Sequence, residues 1–447
     1  MDRSPTLHKR VAIVGAGIAG LVAGYELAKS GCEVTVFEKE KKVGGRMQTQ
    51  TKGGLLFDSG ADFFVSCYDL LRSYAEELGI PWHLSVEGSR HRIIRNGTAH
   101  YLDLRGPWDI LRWQLLSFSA RLRFLSWAVR LRFTRRPLDF FHLSNTDAEL
   151  QKTSAGEYLR TEVSPEVADY IADPFTGIMQ FHLVDEMSAA ALFSLMRMMT
   201  SDGGFRMCYT KGGIAAIPRA LAKLLEVQTG VAVTSVSPKG SSVEVVHDGV
   251  GELFDAVVVA TTGNVTKEIV KPLPATAEQM FAALRYSATM TIAFSIPADL
   301  FHDGTRLTYV PFVESTLISG YDNQIQKSGD LESENRSLLL VYLYEHMAVE
   351  LSHKKEDEIF AIVRTEMQKV CPEVRDTPGA LQAHDLKYWP EAMPKFSHTY
   401  VGKVVDFEKA GQGENHIYLA GDYLNSVWTE GAARCGKRVA EMITSKS

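Results

Sequence analysis

Apolar residues fall along this chain in blocks of different period. Val11 to Val14 is a short, continuous β-branched run that fits a strand buried on both faces rather than an amphipathic helix. Gly15-Ala16-Gly17-Ile18-Ala19-Gly20 breaks it, a helical pattern continues through Ala28, and a second apolar strand spans Val34 to Phe37. A similar unit closes the chain, with a strand from Ile417 to Ala420, a turn at Gly421-Asp422, and Trp428-Thr429-Glu430-Gly431-Ala432 heading a helix that reaches Ile443. In the middle, Lys211-Gly212-Gly213 precedes an amphipathic helix through Leu225. Val231 to Val246 then alternates as strands around Pro238-Lys239-Gly240, and Asp255 to Thr261 is another strand.

Two other blocks interrupt these units. From about residue 84, Arg92-Ile93-Ile94-Arg95-Asn96-Gly97 predicts a hairpin with a type I′ turn, and helical patterns follow to about 205. From about 283 to 385 the strands Thr291 to Ile296 and Leu338 to Tyr344 flank a polar stretch, Asp322 to Ser337, that reads as an exposed loop.

With 447 residues, the chain is long enough for two or three units with large cores. Hydrophobic residues make up 45% and charged residues 23%, an ordinary globular balance. The 48 Lys and Arg against 54 Asp and Glu give a net charge of −6, which matches a nucleic-acid partner poorly. Five cysteines, without a C-x-x-C pair or zinc-ligand spacing, argue against a disulfide framework or a metal site and for a reducing, cytoplasmic setting. No apolar run reaches the length of a membrane span.

The glycine turn carries the first chemistry. In Gly15, Gly17 and Gly20 the first makes the turn, the second admits a pyrophosphate to the backbone, and the third lets helix pack on strand. The helix N-terminus favours the anion. Glu38, 18 residues past Gly20 at the end of the second strand, can accept from a ribose hydroxyl pair. Gly44-Gly45-Arg46 and Phe57-Asp58-Ser59-Gly60-Ala61 then stand where a nicotinamide domain would continue into helix. This order resembles the FAD-binding start of the flavin amine oxidase superfamily, which includes protoporphyrinogen oxidases and carotenoid desaturases. The Ile417–Asp422 and Glu430-Gly431-Ala432 elements resemble its closing segment.

The resemblance implies an α/β fold of monoamine oxidase-like topology, with a Rossmann-type FAD-binding domain interleaved with a mixed α+β substrate domain. The FAD-binding domain would be built from residues 1–83, 206–282 and 386–447, and the substrate domain from 84–205, including a helical insert, and 283–385. It implies non-covalent FAD held by Gly15, Gly17, Ala19, Gly20, Glu38, Lys39, Gly45, Arg46, Gly60, Ala61, Val233, Thr261, Gly421, Asp422, Glu430, Gly431 and Ala432. The reaction implied is hydride transfer to flavin from a C–N or C–C bond of a small to medium apolar molecule, with O2 as acceptor giving hydrogen peroxide.

The branch within the family stays open. Lysine-bearing amine oxidases carry Y-G-x-x-x-K, whereas Tyr286 to Thr291 places Thr291 at the lysine, and Trp389 to Phe396 looks closer to protoporphyrinogen oxidases. Trp428 occupies the register of an aromatic wall beside the substrate, and Trp389 and Tyr400 are candidates for further walls. His398, nine residues past Trp389, stands where some covalent amine oxidases tether flavin, whereas His182 reads as structural. No general base is evident, and a non-redox isomerase or a silent flavin-binding subunit remain alternatives. Finally, Leu111 to Leu138 carries seven arginines and no acidic residue among Trp113, Phe118, Phe124, Trp127 and Phe133. The simpler reading buries these aromatics and leaves the arginines in water; the other docks the segment on anionic lipid.

Overall fold

A computed structural model describes residues 9–86, 89–102, 106–200, 205–328 and 335–445. Its first sheet has five parallel strands in the order Glu226–Thr229, Glu33–Glu38, Arg10–Val14, Ala256–Val259, Ile417–Leu419. Arg10–Val14 lies at the centre, which is why Val11 to Val14 are all buried and show no polar alternation. The opening helix Ile18–Lys29 and the closing helix Thr429–Ser445 pack together against this sheet. Their approach depends on glycine. A Cβ on Gly436 would stand 2.1 Å from the carbonyl oxygen of Ala19, and one on Gly20 would stand 2.0 Å from the carbonyl oxygen of Gly15.

The second sheet has seven strands in the order Gln382–Pro394, Tyr286–Pro297, Arg336–Leu343, Ile318–Asn323, Thr305–Tyr309, Arg90–Arg95, Thr98–Tyr101. The hairpin turn falls at Asn96 and Gly97, both with positive φ as type I′ requires. Along Tyr286–Pro297, Met290, Ile292, Phe294 and Ile296 face one core, beneath the helices Glu345–Leu351 and Glu356–Val370. Ser287, Thr289, Thr291 and Ala293 therefore face the other way, towards the first sheet.

Two expectations change here. Gln382–Pro394 pairs with Tyr286–Pro297 as far as Pro394, so residues 386–394 belong to the substrate sheet rather than to the cofactor domain. The polar stretch from Asp322 is also not an exposed loop at its start. Asp322, Asn323, Gln324 and Lys327 are buried at the end of Ile318–Asn323 and in the short helix Ile325–Ser328, while 329–334 lie outside the described residues.

The rest of the second domain is helical. The helices Pro107–Arg112, Phe118–Phe133 and Ala189–Met199 frame an insert between the two sheets' strands in sequence. Among the described residues no helix is long and apolar enough to cross a membrane.

Gly436→Val should lower stability by about 3 kcal/mol or more, because neither partner at the helix crossing is a movable side-chain tip. A thermal midpoint within a degree or so of the parent would contradict this account of the crossing.

Candidate active site

The glycine turn and the Gly44-Gly45-Arg46 loop run side by side, joined where the Gly44 amide donates to the Ala16 carbonyl at 2.8 Å. Between them the backbone is bare. A Cβ on Gly17 would meet nothing within 4 Å, and one on Gly45 would meet only the Gly17 Cα, at 3.4 Å. Glu38 Oε2 accepts from the Ala16 amide at 2.7 Å and Oε1 from the Glu40 amide at 2.9 Å, which fixes a buried carboxylate beside the turn. Ala19 is buried in the first helical turn, and Thr261 adjoins Gly15 at the end of its strand. An open backbone cradle at a helix N-terminus, with an acceptor fixed at its edge, fits the diphosphate and ribose of a dinucleotide.

Arg46 reaches across to the far end of the chain. Its guanidinium forks onto Asp422, Nη1 to Oδ2 at 2.8 Å and Nη2 to Oδ1 at 2.9 Å, and also donates to the Ala392 carbonyl. Gly60 and Ala61 lie against the same arginine, the Ala61 amide donating to the Arg46 carbonyl. Gly421, whose amide points at the Cys435 sulfur, and Gly431 and Ala432, at the head of the closing helix, complete this side. Among the described residues the buried hydroxyls of Ser59 and Thr262 find no hydrogen-bond partner, which fits polar groups facing a ligand.

Lys39 is solvent-exposed at the strand end and Val233 is half-buried at the start of its strand. Glu430 faces away from the cradle: its two carboxylate oxygens accept from the amides of Leu70 and Leu71, both at 3.0 Å, and so cap the helix Asp69–Glu77. Burial pushes its carboxyl up to about 7, although those amides and Arg434 favour the charged form.

Trp428 stands immediately before the closing helix. Its backbone is left-handed, with φ of +77°, a strained state for so bulky a residue. Its indole N–H donates to the Met179 carbonyl at 3.2 Å, and its ring lies 5.0 Å from Phe140, 6.3 Å from Phe205 and 6.5 Å from Tyr68. Phe140 also lines an open cavity of about 430 Å³ with Pro137, Phe141, Arg197 and Met198.

The other proposed walls are not beside it. Tyr400 is fully buried and donates its hydroxyl to the Tyr423 carbonyl, so it packs the fold rather than a pocket. Trp389 donates its indole N–H to the Ser59 carbonyl and props the 58–61 segment, next to Gly60. His398 is exposed in the turn before the helix Val401–Ala410, away from the cradle. His182 is buried and held at the Leu183 carbonyl, with its pKa lowered to about 4 by burial. Thr291 is on the inward face of its strand, paired with Tyr342 on one side and Lys387 on the other.

The sequence reading missed a buried charge network behind this surface. Lys327 Nζ donates at 2.7 Å to Asp58 Oδ2 and at 2.7 Å to Asp62 Oδ1, all three groups being buried. Asp62 also accepts from Gln324, and Arg306 lies 3.5 Å from Asp322. Burial alone would raise Asp62, but Lys327 and Arg306 outweigh it and hold the carboxyl below its ordinary value. Asp322, also buried, is pushed up to about 7 despite Arg306, with Asp62 adding to the rise. Among the described residues the side-chain oxygens of Asn323 and Gln324 accept no hydrogen bond and extend the polar region.

The profile of the family described as flavin containing amine oxidoreductase matches residues 18–444. A chloroplastic/mitochondrial protoporphyrinogen oxidase from Arabidopsis thaliana is 30% identical over 175 residues, 38% of this chain and 32% of that protein. The match thus spans about a third of that relative's length. Coproporphyrinogen III oxidase of Bacillus subtilis is 22% identical over 94% of both chains. Among solved structures, cyclohexylamine oxidase from Brevibacterium oxydans superposes with a TM-score of 0.76 at 16% identity, covering 98% of this chain and 99% of that one.

Lys327→Met should destabilise the protein by about 3–5 kcal/mol, since two buried carboxylates lose their cation. For Asp322 the folded pKa is raised, so its contribution is present at low pH and is lost as pH rises through about 7. Asp322→Asn should therefore flatten the fall in thermal midpoint between about pH 4 and pH 7 relative to the parent, the interval between the ordinary carboxylate pKa and the raised one. Parallel curves for the two proteins would show that this carboxyl does not titrate there.

Proposed function

Because the chain belongs to the flavin-containing amine oxidoreductase family and is a flavin-dependent oxidoreductase, we propose that it binds FAD non-covalently and dehydrogenates a planar, largely apolar substrate, with O2 as the acceptor. The substrate class we favour is a reduced conjugated ring system such as a porphyrinogen rather than a free amine. The observation that carries this is the inward face of Tyr286–Pro297, which offers Ser287, Thr289 and Thr291 and no lysine. The aromatic group around Trp428 supports the same reading, since flat apolar walls orient and desolvate a ring. The porphyrinogen-oxidising relatives in Arabidopsis thaliana and Bacillus subtilis agree with it.

When bound, FAD would accept the hydride. The chain's own part is to position and to manage charge. Gly17, Gly45 and the first turn of Ile18–Lys29 receive the diphosphate, and Glu38 receives the ribose. Trp428 orients the substrate ring.

Anaerobic addition of coproporphyrinogen III should bleach the bound flavin at least about tenfold faster than a primary amine does; the reverse order would overturn the substrate class. Acid precipitation should release FAD into the supernatant, and flavin retained in the pellet would refute non-covalent binding. Trp428→Ala should keep its flavin and lose about a hundredfold in the rate of bleaching, as expected for lost orientation.

A further inference from the structure

The helix Phe118–Phe133 has two apolar stripes, and only one is used by the fold. Ala120, Phe124, Trp127 and Leu131 are buried, with Trp127 set 5.5 Å from Phe193 of the neighbouring helix. Phe118, Leu122, Leu125, Val129 and Phe133 recur at i, i+4, i+7, i+11 and i+15, so they share the opposite face. There Phe118 is 65% and Phe133 78% exposed, and Trp108 in the preceding helix Pro107–Arg112 is 72% exposed. Such large apolar groups set in a row on one face of a folded protein mark a contact surface.

Its occupant follows from charge. Arg123 and Arg130 lie along one border of the stripe and Arg132 along the other, all exposed and, among the described residues, without an ion-pair partner. Arg121 and Arg136 are already engaged, the first with the carbonyls of Leu116 and Leu111, the second with Asp147. The chain as a whole is acidic, at −6, so this basicity is local. A second copy docked symmetrically on the stripe would bring arginine against arginine. An anionic bilayer offers what the face lacks: phosphates for the guanidinium groups and an acyl boundary for the rings.

We propose that Pro107–Arg112 and Phe118–Phe133 form a docking face for an anionic lipid surface. The long helix lies flat, with Trp108, Phe118, Leu122, Val129 and Phe133 entering the headgroup boundary and Arg123, Arg130 and Arg132 on lipid phosphates. This contact is peripheral and reversible.

Co-sedimentation of the flavin-loaded full chain with phosphatidylcholine vesicles, with and without phosphatidylglycerol, tests the proposal at low and high salt. The parent should pellet with the anionic vesicles at low salt and release as salt rises. Arg123→Gln/Arg130→Gln/Arg132→Gln should weaken partitioning roughly a hundredfold, from about 1 kcal/mol per basic residue near the surface. Phe118→Ser/Phe133→Ser should weaken it at least about tenfold, while flavin content and thermal midpoint stay at parent values because the buried stripe is untouched. Equal binding to neutral and anionic vesicles, or no binding by the parent, would overturn the proposal. So would a parent dimer that the Phe118→Ser/Phe133→Ser protein fails to form, accompanied by no vesicle binding.

Discussion

A buried cation ties the seven-stranded sheet to the segment that runs past Arg46. Lys327 follows a strand of the seven-stranded sheet, and Asp58 and Asp62 flank the glycine segment that lies against Arg46. An ammonium group taken out of water costs several kcal/mol, and only two close carboxylates at fixed distance offset that. The pair of contacts therefore fixes where the 58–62 segment can stand. Asp58 also accepts from the Ile214 amide, and the same segment gives Ser59 to Trp389. Arg46 inherits its position, and with it the Asp422 pairing that draws the two ends of the chain together.

A second constraint sits at the closing helix. Trp428 holds a left-handed backbone immediately before it, and Glu430 two residues on is spent on the amides of Leu70 and Leu71. Strain of this kind persists only where the surroundings over-determine it. Here the Met179 carbonyl holds the indole, Phe140 abuts its ring, and the Glu430 cap stops the helix start from relaxing. The tryptophan is thus placed by contacts from three separate stretches of chain.

These contacts explain what could and could not be read in advance. The strand, glycine turn and helix around Gly15 to Glu38 were legible because each signal is local: β-branched run, turn residues and helical period fall within thirty or so residues. The start of the stretch, Asp322 to Lys327, was misread because polarity was taken as exposure, whereas Lys327 finds its partners 265 and 269 residues away. His398 was placed by counting along the chain, and a count says nothing about which way a side chain turns. Glu430 stood in the right motif, but its oxygens answer to a helix that begins at Asp69. The basic helix was ambiguous for a geometric reason. Apolar residues on opposite sides cancel in any single-face measure, so a two-sided helix looks weakly amphipathic.

The division between readable and unreadable follows from what each half of the site is made of. The cofactor side is backbone: amides at a helix start, glycines that leave room, one acid at a strand end. Such a cradle demands particular residue types at particular spacings, so it leaves a motif in the sequence. The proposed substrate side is a surface of side chains drawn from the insert, from one face of the second sheet and from the turn before the closing helix. Any residues of suitable size and polarity can compose it, and no spacing is forced. Phe140, which abuts Trp428 and lines the open cavity, lies only seven residues past Phe133 at the end of the two-faced helix. The insert thus carries both the exposed stripe and one ring of the Trp428 cluster, so the proposed lipid-docking face and the proposed substrate wall belong to one element of the fold.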